Sequence, residues 1–292
     1  MKKIPYNKQY IDQDDIDAVV EALKSEFLTT GPQSEKFEKK LKDYCNCKFA
    51  SVCSNGTSAL EIVLKCLDIG KNDLVISSPI SFLAGANATI LNNSIVKFCD
   101  IDSSNGNLDL NHLEKILKKE KNVKAVMPVH LAGDIVDLEK LSEMANFYNF
   151  KIIEDACHAL GGGYFDTNNK YHKIGSCDHS DATIFSFHPI KTITTGEGGA
   201  LTTNDKKIFE KFKLLRNHGI TRDKNLFQNL DLAYTYHDGK KILNDWYYEM
   251  HYLTHNFRIT DFQCALGISQ LNKIDYFINK RQELASHYIK LI

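Results

Sequence analysis

Proline is scarce in this chain, five in 292 residues, and tryptophan occurs once. That scarcity excludes a Pro-rich linker or low-complexity protein. A charge of one sign is also missing: 36 Lys and Arg stand against 37 Asp and Glu, a formal charge of −1. Without a basic field, nothing draws nucleic acid or an anionic membrane to it. The densest basic cluster, "LKKEKNVK" (117–124), reads as a solvated helix end. No apolar run approaches the roughly 18 residues of a membrane span. The N-terminal "MKKIPYNKQYIDQDD" has two lysines but no hydrophobic region behind them, so no signal peptide is expected. Eight cysteines (45, 47, 53, 66, 99, 157, 177, 264) form no CxxC pair and no regular framework. A metal or redox site at Cys45-Asn46-Cys47 lacks His or Cys partners at ligand spacing. Reduced, mostly buried thiols in a cytoplasmic protein are the expectation.

Hydrophobic residues make up 43% of the chain, enough to bury a substantial core at the upper edge of one domain. Helical periodicity appears at 14–26 and 34–44. Short β-rich runs then alternate with helical ones: 49–54, 73–78, 94–100, 123–130, 150–156 and 182–188, with "GALTT" (199–203) as a last strand. Such alternation predicts an α/β fold, a mostly parallel sheet covered by helices on both faces. After residue 205 the pattern changes to an irregular, Tyr- and His-rich stretch, read as a packed loop or interface. A single long helical pattern follows from about 260 to the end. The expected division is therefore 1–205 as the large α/β domain and 206–292 as an interface region leading into a smaller domain.

In open α/β sheets ligands sit at the C-terminal ends of strands, and four candidate groups fall there. "SNGTSAL" (54–60) ends a strand, and Thr57 and Ser58 open a helix whose N–H groups and hydroxyls form a phosphate cradle. Plain N-capping explains the same residues; neither a P-loop nor a GxGxxG fingerprint is present. "IIEDACHALGG" (152–162) ends an apolar strand on Asp155, where a carboxylate must be paired or hydrogen-bonded. That Asp suits a protonated heteroaromatic nitrogen; as a metal site, Asp155 and His158 lack a third ligand. "FSFHPIKTITTGEGG" (185–199) carries Ser186, His188 and Lys191; alone Lys191 reads as an ordinary loop lysine, but a desolvated lysine there can form an imine with an aldehyde. "SSPISFLAGANA" (77–88) offers Phe82 to a planar ring, although a lone Phe is more often core. Phosphate cradle, acid, flat apolar face and amine together are the requirements of pyridoxal 5'-phosphate.

At these residues the sequence resembles the DegT/DnrJ/EryC1/StrS nucleotide-sugar aminotransferases, of fold-type I. The matching segments also include "LTTGPQSEKFEKKL" (28–41), "MPVHLAG" (127–133), "LRNHGI" (215–220) and "THNFRITDFQCALGISQL" (254–271), in family order. The resemblance implies pyridoxal phosphate bound by Lys191, with Asp155 on the pyridine nitrogen and Thr57, Ser58 and Ser186 on the phosphate. It further implies Phe82 stacked on the ring, His158 near the ring or its phenolic oxygen, and His188 and Arg258 toward substrate. Asn256 matches a residue given to the neighbouring subunit's phosphate, which implies a homodimer with shared sites. Sugar dehydratases of the family carry His at the position of Lys191, so lysine favours transamination. The "FSFHPIKTITTGEGG" form is most similar to enzymes that aminate C4 of a UDP-4-keto-6-deoxy-N-acetylhexosamine in bacterial pseudaminic acid synthesis, with glutamate as donor. Aminoarabinose-forming 4-aminotransferases share its "FHxIKxIT" portion. Family members continue past "NKRQELASHYIKLI", so the resemblance implies an incomplete small domain with apolar surface exposed along 260–292, and a non-catalytic protein of this fold is the alternative.

Overall fold

The computed structural model describes Pro5 and residues 7–292. Its elements follow the chain's hydrophobic periods. Helices α1 (Gln13–Lys24) and α2 (Pro32–Cys45) precede β1 (Phe49–Cys53), α3 (Gly56–Cys66), β2 (Leu74–Ser77), α4 (Ala84–Leu91) and β3 (Ile95–Phe98). Then come α5 (Leu110–Lys119), β4 (Val123–Met127), α6 (Leu138–Tyr148) and β5 (Lys151–Asp155). A small hairpin, β6 (Gly163–Phe165) and β7 (Tyr171–Lys173), leads to β8 (Ala182–Ser186), β9 (Gly199–Thr203) and α7 (Lys206–Leu215).

Seven strands form one sheet in the order β1-β9-β8-β5-β4-β2-β3. Every pairing is parallel except those of β9, which runs antiparallel between β1 and β8. Strand alternation sends neighbouring residues to opposite faces. Ile152 joins a core layer with Phe37, Leu113 and Leu138, whereas Ile153 joins one with Leu60, Ile62 and Phe212. Each such fully buried side chain contributes roughly 1.5–3 kcal/mol relative to exposure. The sheet is thus covered by α2, α5 and α6 on one face and by α3 and α7 on the other. This is the mostly parallel, two-face-covered α/β architecture that the sequence predicts.

Beyond α7 lie β10 (Ile220–Thr221), α8 (Leu230–Ala233), β11 (Tyr234–His237), β12 (Lys240–Leu243) and β13 (Glu249–Met250). The stretch read from sequence as irregular therefore holds a hairpin. Asp238 and Gly239 at its tip both have positive φ, 49° and 74°, the signature of a two-residue Asp-Gly turn. The long helix expected after 260 is instead two, α9 (Asp261–Leu271) and α10 (Ile274–Leu291). At the break, Asn272–Lys273, the Lys273 Nζ reaches fully buried Asp15 at 2.8 Å and also Asp12. Gln270 donates to the same Asp15 at 2.7 Å, so α1 is clamped across the break.

Candidate active site

The C-terminal ends of β1, β5 and β8 meet where α3 begins. Asn55 caps α3, its side-chain oxygen accepting from Ser58 N at 2.8 Å and Ser58 Oγ at 2.9 Å, a cap that contributes about 1 kcal/mol. Ser58 Oγ also lies 3.1 Å from Ser54 Oγ. Ser58 is buried and its N–H and hydroxyl donate to Asn55, so it also supports the turn. Thr57 stands exposed on the same first turn. A Cβ at Gly56 would sit 3.0 Å from Ser186 Cβ and 3.2 Å from Cys157 Sγ. The helix N-terminus, Ser186 and Cys157 are therefore packed together, with bare backbone on the helix side.

Asp155 closes β5 at 7% exposure. Its main chain is held on both sides, N–H to Pro128 O at 2.9 Å and carbonyl to His130 N–H at 3.1 Å. Its carboxylate accepts only the Cys157 N–H, at 3.2 Å, among the described residues. A buried carboxylate with one donor has capacity left for another. Burial first, then the Asp155 charge, holds the Cys157 thiol well above the ordinary cysteine range, so Cys157 is protonated. His158 turns outward, its Nδ1 accepting from Ala132 N–H at 3.3 Å. Partial desolvation, then the positive Lys191, lowers its pKa below the ordinary 6.5, while Asp155 opposes. Lys191, Asp155, His158 and Cys157 thus share one electrostatic neighbourhood.

The connection from β8 to β9 is a closed turn with Lys191 on it. Phe187 N–H donates to Gly198 O at 2.8 Å, Thr195 N–H to Phe187 O at 2.9 Å, and Lys191 N–H to His188 O at 2.8 Å. Thr195 Oγ1 closes it on Glu197 O at 2.7 Å. β9 then passes so close to α3 that a Cβ at Gly199 would lie 2.4 Å from Asn55 C and O. Lys191 is half-buried and takes no part in the ion pairs found among the described residues. His188 is exposed, with its N–H toward Ser186 Oγ at 3.4 Å and its Nδ1 accepting Ile190 N–H at 3.4 Å.

Phe82 projects into solvent at 68% exposure beside these strand ends. Asn256 and Arg258 come from the stretch before α9, which lies along the site because Ser54 N–H donates to Phe257 O at 2.8 Å. The Asn256 side chain is exposed and accepts from Arg258 N–H at 3.0 Å. The Arg258 guanidinium binds the Asn217 side chain, while its Nε is buried without a partner. Sequence reasoning missed Asn55 and the buried Glu154–His130 pair behind Asp155. Asn directly before a Gly-Thr-Ser helix start is an N-cap signal that could have found the first. Among the described residues no three His, Cys, Asp or Glu converge on a metal site, and no helix is long and apolar enough to cross a membrane.

A parallel sheet with an antiparallel seventh strand and a lysine-bearing turn beside a strand-end Asp defines the fold-type I aminotransferase class. The chain belongs to the DegT/DnrJ/EryC1/StrS aminotransferase family, whose model matches residues 9–292. It is 41% identical over 288 residues to the UDP-4-amino-4,6-dideoxy-N-acetyl-beta-L-altrosamine transaminase of Campylobacter jejuni (serotype O:23/36, strain 81-176), covering 98% of this chain and 69% of that one. Among solved structures it is similar to Helicobacter pylori PseC, an aminotransferase involved in the biosynthesis of pseudoaminic acid. There the TM-score is 0.84 and the identity 32%, covering 99% of this chain and 70% of that one. Spr1654 from Streptococcus pneumoniae in its PLP form gives a TM-score of 0.81 at 25% identity, covering 98% and 71%.

Proposed function

We propose that this chain transfers an amino group from glutamate to C4 of a UDP-4-keto-6-deoxy-N-acetylhexosamine, with pyridoxal 5'-phosphate as cofactor, in bacterial surface-sugar synthesis of the pseudaminic acid type. The observation that carries the reading is Lys191 without an acidic partner, in the field of a strand-end Asp155 with unused acceptor capacity. The residues present fit the cofactor. The bare N-terminus of α3 with the Thr57 and Ser186 hydroxyls suits a phosphate, and Ser58 and Asn55 hold that turn. Exposed Phe82 suits a planar ring. The similar C. jejuni transaminase and PseC support the substrate class.

When bound, the cofactor supplies an electron sink for the substrate carbon that exchanges its proton. Lys191 would hold the cofactor's aldehyde, and its amine would serve as general base and acid for the substrate carbon. Asp155, a buried acceptor with one main-chain donor, would keep a proton on the ring nitrogen. His158, biased toward its neutral form with Nδ1 accepting from Ala132 N–H, would leave Nε2–H as a donor toward the ring, and protonated Cys157 adds no negative charge to the site. His188 and Arg258 are assigned to the sugar nucleotide. Asn256, exposed and with a side chain that holds only Arg258 N–H among the described residues, is assigned to the phosphate in a second copy of a homodimer. Residues 1–205 form the cofactor-binding domain and 206–292 the interface region and the start of the small domain; the protein works in the cytoplasm.

The test is purified protein titrated with pyridoxal phosphate and then offered glutamate and a panel of UDP-4-keto sugars. The lysine-bound cofactor band should form, bleach with glutamate, and vanish in Lys191→Ala. An unchanged spectrum in that variant sinks the reading. Amination of a 4-keto-pentose alone would replace the hexosamine, and cofactor binding without amination of any sugar would leave a non-catalytic protein.

A further inference from the structure

Asp155 has a buried neighbour that the chemistry above does not use. Alternation along β5 turns Glu154 to the sheet face opposite Asp155, where Glu154 is 2% and His130 0% exposed. Glu154 Oε2 lies 2.9 Å from His130 Nε2, and its Oε1 accepts from Thr183 Oγ1 at 2.7 Å and from Ser180 Oγ. His130 Nδ1 accepts from Val136 N–H at 3.3 Å. That contact fixes the tautomer: Nδ1 is the acceptor, so Nε2 carries the proton and donates to Glu154. Three donors converge on one carboxylate, and no lone acceptor is left facing it.

This pair sits at the root of the loop that holds the site. The His130 main-chain N–H donates to the Asp155 carbonyl, and Pro128 O accepts the Asp155 N–H. Two residues on, Ala132 adopts φ 54° and presents its N–H to His158 Nδ1. A non-glycine residue with positive φ is strained and persists only where its surroundings over-determine it. The surroundings here are the anchored His130 before it and the tethered Val136 N–H after it. We propose that the Glu154–His130 pair is the positioning element of the site, setting the Asp155 main chain and the His158 ring through the 128–136 loop. The inference rests on the functional reading only for what Asp155 and His158 do, not for how they are held.

The test uses Glu154→Ala and Glu154→Gln. Glutamine keeps the volume and can accept from His130 while the Ser180 and Thr183 hydroxyls rotate to accept from its amide, so it should retain most of the wild-type behaviour. In cofactor-free protein, Glu154→Ala should speed hydrogen exchange at the 130–136 amides about tenfold or more relative to those of β1 and β9. In loaded protein it should weaken pyridoxal phosphate about tenfold and shift the pH midpoint of the bound cofactor's absorption band. Equal exchange in the loop and in β1 and β9 overturns the inference, as does an unshifted band with wild-type affinity. If Glu154→Ala fails to fold, His130→Gln, which keeps a donor for Glu154 but gives up Val136 N–H, must show the same loop-confined exchange. Wild-type protein that binds no pyridoxal phosphate defeats the functional reading, while the exchange measurement still decides this one.

Discussion

At the N-terminal ends of β4 and β5 lies a cleft of about 550 Å³, lined by Asp73, Lys124, Lys151, His179 and Asp181. A groove of about 460 Å³ beside Lys191 is lined by Tyr10, Phe277 and Arg281 and not by Asp155, Thr57 or Ser186. Volume and charge would send a search to the first of these. The difference lies in how the charges are spent. Lys151 pairs with Asp181 at 2.8 Å, and Asp181 also caps Ile152 N–H at 2.9 Å. Nearby Asp178 takes His172 at 2.6 Å. At the C-terminal ends, among the described residues, Lys191 has no ion-pair partner and Asp155 holds one main-chain donor. Paired charges satisfy a fold; groups held with unused capacity can act on something else.

The sharpest way to break this contrast is to neutralise one aspartate at each end. Asp155→Asn should cut the transamination rate about a hundredfold or more, as removal of a preorganised electrostatic group does. Asp181→Asn should leave the rate within about twofold, because it removes a partly exposed ion pair worth about 0–1 kcal/mol. Single-turnover rates with glutamate measure both. Equal losses from the two variants would erase the distinction between the ends.

A second pair asks whether the backbone is equally tight at both ends. Gly199→Ala places a Cβ 2.4 Å from Asn55 C and O, where main chain meets main chain and neither side chain can swing away. It should cost about 1–3 kcal/mol or more by overpacking. Gly70, before β2, has nothing nearer to its Cβ than Asn92 O at 3.9 Å. Gly70→Ala should be neutral or gain about 0.4–1 kcal/mol through the unfolded chain. Urea unfolding midpoints distinguish them. Comparable losses would show that the close crossing of β9 over the cradle is no more constrained than an ordinary turn.

Local pattern made the alternating strands and helices readable, because each strand is an apolar run ended by a polar or glycine-rich turn. It also put Lys191, Asp155 and Thr57 at strand ends, since a strand end needs only the last residue of its run. What escaped was set by contacts distant in sequence. The break at Asn272–Lys273 sits where Lys273 pairs with Asp12 and Asp15, more than 250 residues earlier. Asn55 as the cap that holds Ser58 depends on the turn's geometry and not on residue type alone. Glu154 and His130 lie 24 residues apart and meet only because β4 and β5 are neighbours in the sheet. The Asp-Gly hairpin at 238–239 was different: its signal was present, inside a stretch whose aromatic density drew attention to packing.

The smallest effect gives the finest view of the site's field. His158 titrates below 6.5 because partial desolvation and Lys191 both favour its neutral form, against Asp155. Lys191→Ala removes the second of these causes, so the His158 midpoint, followed by NMR of the ring protons, should move up. Lys151→Ala, at the other end of the sheet, should leave it in place. The sign carries into stability. With its folded-state pKa below the free value, His158 binds fewer protons in the folded chain than in the unfolded chain between those two values. Its contribution is therefore at its best above about 6.5 and declines as pH falls through the lowered folded pKa. In Lys191→Ala that decline should shrink, because the window between the two values narrows. An unmoved midpoint in Lys191→Ala would mean that the lysine's charge does not reach His158, and the two residues would no longer belong to one site.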